Sequence, residues 1–100
     1  MVRHIVMWKI KASADRDTAS KKLKSVLENL KEKIDVIRDI EVGINFSSQG
    51  DASCDIVLNS TFDSAEELEI YQQHPAHLKA VEIIRSLTFE RRVVDYNYQD

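Results

Sequence analysis

An α+β domain with the element order βαββαβ is the fold class this sequence predicts, and three observations predict it. Four runs, at residues 2–11, 36–46, 53–62 and 88–98, alternate or cluster in β-compatible apolar types. Two longer stretches between them, 15–34 and 64–87, carry apolar residues at the spacing of one helical face. Ser47-Ser48-Gln49-Gly50-Asp51-Ala52 reads as a hairpin-type loop, so the second and third strands pair antiparallel.

In the first strand His4, Val6, Trp8 and Ile10 lie on one side and Ile5 and Met7 on the other, so the sheet is covered on both faces. The first helix presents Ala19, Leu23, Val26, Leu27, Leu30 and Ile34 as its stripe. Lys21, Lys22, Lys24, Lys31 and Lys33 fall off that stripe and form a solvated face. Asp15 and Asp17 near its start and Lys31 and Lys33 near its end complement the helix dipole. Gly43 marks a bulge or a close backbone approach in the second strand. Ser64 with Glu67 three residues on forms a capping box that starts the second helix. Pro75 has no N–H to donate and disfavours helix at His74, so this helix must kink or restart there.

This order builds a ferredoxin-like, four-stranded antiparallel sheet with two helices on one face. Ile5, Met7, Val57 and Val94 then point away from the helices, and a patch of that kind is rarely left in water. A second copy of the chain covers it most economically, sheet against sheet, which predicts a homodimer in the form of a dimeric α+β barrel.

Composition narrows the functional classes. One hundred residues at 43% hydrophobic content support one core, hence a single domain over 1–100. Fourteen basic side chains against 17 acidic ones, all scattered, leave no footprint for nucleic acid and none for an anionic membrane surface. A lone Cys54 cannot form an internal disulfide, which suits a reducing cytoplasm. His4 and Lys9 interrupt the N-terminal apolar run, so neither a signal peptide nor a membrane span is expected, and the localisation expected is cytoplasmic. No Gly-rich phosphate loop, H-E-x-x-H, C-x-x-C or G-x-S-x-G occurs, which makes nucleotide-dependent catalysis improbable. His4, His74 and His77 suit a metal by ligand type, but no third or fourth ligand stands at a recognised spacing. No cofactor and no metal are expected.

The chemistry concentrates in Tyr71-Gln72-Gln73-His74-Pro75-Ala76-His77, which places a phenol and two imidazoles around a proline. Histidine titrates near neutral pH, so a base is available there without heavy tuning. His77 shares a helical face with Val81 and Ile84 and points at the sheet, where it is either a core residue or a base. Tyr71 is a core ring with its hydroxyl at the rim, or a group that orients a substrate. His74 precedes the proline and reads first as the cap that restarts the helix. Asp95 and Tyr96 read as last-strand and dimer-contact residues. A cavity between helices and sheet would be bounded by His4, Val6, Trp8, Ile56, Leu58, His74 and Val81. A volume of roughly 300 Å³ or more reaching Tyr71 and His77 keeps an enzyme in play, whereas a pocket filled by Trp8 favours a binding or structural role.

Nearly the whole chain resembles the stress-responsive A/B barrel domain (Dabb) family of the dimeric α+β barrel superfamily. The residues that carry the resemblance are His4-Ile5-Val6-Met7-Trp8-Lys9, Glu41-Val42-Gly43-Ile44-Asn45, Asp55-Ile56-Val57-Leu58 leading to Phe62, the string from Tyr71 to His77, and Val93-Val94-Asp95-Tyr96. The resemblance implies a homodimer with a small-molecule cavity and no assigned reaction. A polyketide-cyclase branch of the family implies an alternative, a cofactor-free cyclase-like or isomerase-like enzyme with His77 as general base and Tyr71 as orienting group. The chain departs from that branch at Ile56, where the branch has a histidine. It departs again at Trp8, bulkier than the branch's aliphatic residue, and at Ser60 and Arg91, which replace apolar residues. These changes predict a pocket smaller or more polar than a long alkyl tail needs. The same fold also hosts haem-degrading monooxygenases and lactone isomerases, so fold alone does not choose a chemistry.

Overall fold

The computed structural model describes residues 1–99. Alternation settles the first strand, β1 (Val2–Ile10), whose even-numbered residues are all buried while the odd-numbered ones are half-buried or exposed. Helix α1 (Arg16–Glu28) begins where the Asp15 side chain accepts from the Thr18 N–H, satisfying one of the first-turn donors. A single tight turn at Asn29 separates it from α2 (Leu30–Lys33). Strands β2 (Asp39–Ile44) and β3 (Ile56–Phe62) follow, then α3 (Ala65–Gln73), α4 (Pro75–Leu87) and β4 (Thr88–Asn97).

The four strands form one sheet in the order β2-β3-β1-β4, every neighbouring pair antiparallel. This is the ferredoxin-like arrangement that the element order predicts. Val6, Trp8, Ile56 and Leu58 meet Leu23, Leu27, Leu68, Tyr71 and Ile84 in a single core. Each such aliphatic side chain contributes about 1.5–3 kcal/mol by leaving water. Among the described residues no helix is long and apolar enough to cross a membrane.

Two details differ from the sequence-based expectation, the division of the first helix and the shorter middle strands, whereas the break at Pro75 and the close approach at Gly43 follow it. The first helix is two segments rather than one. Asn29 is a weaker helix former than its neighbours, and the backbone tightens there, with the Glu32 N–H reaching the Asn29 carbonyl at 3.3 Å. Leu30 and Ile34 are nevertheless fully buried beyond the turn. The second helix is also two segments, α3 and α4, divided at the His74-Pro75 step as the missing proline N–H requires. The strands expected at 36–46 and 53–62 are shorter. The Asn45 side chain accepts from the Ser47 N–H and donates to the Cys54 carbonyl, a local turn that competes with the ladder. Phe46 is left wholly exposed as a result. Gly43 shows no bulge and stays in register opposite Val57. A Cβ at this position would stand 3.1 Å from Val57 Cγ1, so the glycine makes room for that valine.

The face of the sheet away from the helices carries Ile5, Met7, Val57 and Val94 in adjacent register positions. Met7 is 37% exposed and Val94 50%.

Candidate functional site

The site begins with a broken helix. Pro75 donates nothing, and the Ala76 N–H bonds to His74 Nδ1 at 3.0 Å, so the His74 ring caps α4 as a side-chain acceptor does at a helix start. In an unbroken helix that Ala76 N–H would have gone to the Gln72 carbonyl. The freed carbonyl is taken by His77, whose Nδ1 lies 3.0 Å away. A carbonyl only accepts, so the hydrogen sits on Nδ1 and the lone pair on Nε2. Burial lowers the His77 pKa, with the positive charge of Arg91 and the neighbouring His4 and His74 acting in the same direction and the Gln72 carbonyl opposing. His77 is therefore a neutral imidazole at pH 7, with an unprotonated nitrogen available.

Tyr71 stands one turn before the break, 1% exposed, its ring centroid 4.5 Å from that of His77 and 5.1 Å from that of Phe62. Burial raises its phenol pKa to about 12, against a smaller opposing effect of the Arg91 charge. It stays a neutral hydrogen-bond donor. No described residue accepts a hydrogen bond from its hydroxyl.

His4 enters from β1. It is 2% exposed, and its Nδ1 is hydrogen-bonded to the Asp95 carboxylate of β4, its register partner. A carboxylate on Nδ1 places the ring hydrogen there and leaves Nε2 without a described partner. The His4 and Tyr71 centroids are 6.1 Å apart. Ser60 donates its hydroxyl to the His4 carbonyl at 3.1 Å, so this polar replacement anchors the strand and does not face the cavity.

These rings border a cavity of about 510 Å³ between α4, β1 and β4. Its volume exceeds the threshold of roughly 300 Å³ set above, and Trp8 bounds the space without filling it. Of the residues expected there, His4, Val6, Trp8, Leu58, Tyr71, His77 and Val81 line it. Ile56 and His74 do not. Ile56 is enclosed in the core opposite Trp8, which occupies that end of the cavity, and His74 is turned to its capping bond. Among the described residues no group of three or more His, Cys, Asp or Glu side chains is placed to hold a metal ion.

Sequence reasoning passed over three contributors. Asp95 reads in the sequence as a last-strand and dimer-contact residue; aligning the start of β1 with the end of β4 places it opposite His4. Gln72 acts through its backbone, which no side-chain motif reveals. Arg85 follows His77 and Val81 at intervals of four, a helical-face signal present in the sequence. Chemically, a neutral phenol donor and a neutral imidazole acceptor facing one partly apolar space suit a ligand with a carbonyl or other acceptor, and the imidazole is fit to take a proton from it.

The family profile described as the Stress responsive A/B Barrel Domain matches residues 2–98. No curated protein matches the sequence. Among solved structures, a dimeric protein of unknown function and ferredoxin-like fold from Bacteroides fragilis is 33% identical, covers 97% of this chain and 95% of its own, and superposes with a TM-score of 0.86. A protein from Arabidopsis thaliana is 23% identical over 100% of this chain and 97% of its own, TM-score 0.86. The hydroxynitrile lyase of Passiflora edulis is 17% identical over 99% and 94%, TM-score 0.86. The last two are alike in fold alone.

Proposed function

The chain belongs to the stress responsive A/B barrel domain family, and from that premise we propose that it is a single-domain homodimer that binds a small, largely apolar molecule in the cavity beside His77. The Tyr71 hydroxyl carries the proposal. Its ring is buried, the residue borders the cavity, and no described residue accepts a hydrogen bond from its hydroxyl. A ligand acceptor in the cavity would take the hydrogen bond that the protein leaves unmade, a gain of about 0.5–1.5 kcal/mol. Dimerisation through the face bearing Ile5, Met7 and Val57 is supported by their partial exposure and by the dimeric Bacteroides fragilis relative. The unpaired Cys54 supports a cytoplasmic setting.

The purified protein, incubated with cell extract and analysed by mass spectrometry, should retain a compound that Tyr71→Phe and His77→Ala, both folded, retain poorly. Retention of the same compounds by all three proteins would overturn this reading.

The orientation of His77 favours a second reading, cofactor-free proton transfer. His77 Nε2 would remove an acidic proton from a bound carbonyl compound while Tyr71 donates to the carbonyl oxygen. Exchange of the ligand's α-protons in deuterated water, abolished in His77→Ala, would establish it; unchanged exchange in that variant would sink it.

A further inference from the structure

The cavity's apolar depth ends in a mouth with two uncommitted positive charges. Arg85 lies in the last turn of α4, one turn beyond Val81, and Arg91 lies on β4 as the register partner of Trp8. Both line the cavity. Neither is ion-paired with a carboxylate among the described residues, where the arginines so engaged are Arg16, Arg38 and Arg92. The one acidic residue of the lining, Glu90, is already engaged by Lys9 at 3.5 Å and Arg92 at 3.4 Å. Arg85 also complements the negative end of the α4 dipole, but that role leaves its guanidinium exposed at the rim.

In a chain of net charge -3, two free guanidiniums at the opening of one cavity select for an anion. Deeper in the same space stand Val6, Trp8, Leu58 and Ile84, which suit an apolar body. The Arg91 charge also reaches both rings at the inner end, since it acts on Tyr71 and His77 alike. Resting on the cavity-binding reading, we propose that the ligand class is an amphipathic carboxylate, its apolar part inside the cavity and its carboxylate held at the mouth by Arg85 and Arg91. The planar guanidinium fork matches a carboxylate's two oxygens, which a lysine at either position would not.

The test compares octanoate with octanamide, and 4-phenylbutanoate with its amide, by calorimetric titration into the intact protein at low salt. Each pair shares its body and differs in charge. The carboxylates should bind about tenfold tighter than the amides, and added salt should shrink the ratio. Arg85→Met with Arg91→Met should bring the ratio close to one while leaving amide affinity unchanged and the fold intact, with a Tm loss no larger than the few degrees that removing Arg85 from the α4 dipole costs, because both side chains are exposed. Equal binding of acid and amide by the parent protein would overturn the charge assignment and leave cavity binding standing. A preference that survives in the double variant would place the anion elsewhere. If no probe binds at millimolar concentration, both the carboxylate assignment and the binding reading fall.

Discussion

Replacing Tyr71 by Phe removes one oxygen from the centre of the site and little else. The ring's packing against His77, Phe62 and His4 is kept. The hydroxyl has no described hydrogen-bond partner to lose, and burial opposes its ionisation strongly enough to raise its pKa to about 12. A buried Tyr→Phe change that deletes a made hydrogen bond costs about 0.5–1.5 kcal/mol; here no hydrogen bond to a described residue is deleted. The free protein should therefore stay within about 0.5 kcal/mol of the parent, a Tm shift of no more than about 4 °C for a chain this size. Tyr71→Ala, which empties the ring's volume as well, should cost about 3–5 kcal/mol. The assay is thermal and urea unfolding at one fixed protein concentration, since a dimer's Tm depends on it, combined with retention of the small molecule. A Tyr71→Phe variant that loses more than about 1 kcal/mol would show that the hydroxyl is satisfied within the free protein, and the argument for a ligand would fail.

Three further outcomes follow from the same geometry. Val57→Lys would place an unpaired charge in the sheet face, which should turn a dimer at micromolar concentration into monomer or unfolded chain; a parent protein that sediments as monomer, or a variant that dimerises equally well, contradicts the interface. His77, its pKa held below the ordinary 6.5 by burial, takes up a proton less readily when folded than when unfolded. Its contribution is thus complete above about pH 6.5 and shrinks as pH falls from there toward the folded value. His77→Asn should flatten that slope in urea unfolding between pH 5 and 8, and an unaltered slope would assign it to another group. His74→Ala with Pro75→Ala should return the Ala76 N–H to the Gln72 carbonyl, so that nitrogen NMR reports a mixture of His77 tautomers, whereas His74→Asn keeps the cap and the single tautomer. A single tautomer in both variants would disconnect the helix break from the imidazole.

Much of this molecule was legible because it is local. The alternation of His4, Val6, Trp8 and Ile10 against Ile5 and Met7 divides the first strand into two faces without reference to any other element. The missing N–H of Pro75 dictates a helix break wherever the chain folds, and His74 as its cap is a matter of two residues. His77 and Val81 reach one cavity because helical spacing carries them there, and Tyr71 joins them across the break at Pro75. The turn at Asn29 and the early end of β2 escaped notice because each depends on modest competing preferences and not on one prohibitive residue.

Other features belong to the tertiary structure alone. The expectation that Ile56 and His74 would face the cavity assigned the right strand and helix but not the neighbours that enclose one and bond the other. Cavity volume depends on how far α4 stands from β4, a distance no periodicity contains. The His4–Asp95 bond spans 91 residues and exists because β1 and β4 pair at one register; a two-residue slip would keep every side chain on its face and dissolve the pair. Sequence determined which residues bear the chemistry and which face each occupies, since those follow from the period of the local backbone. Tertiary structure decided which of them meet, since strand register and helix-to-sheet spacing are set by the packing of the whole core.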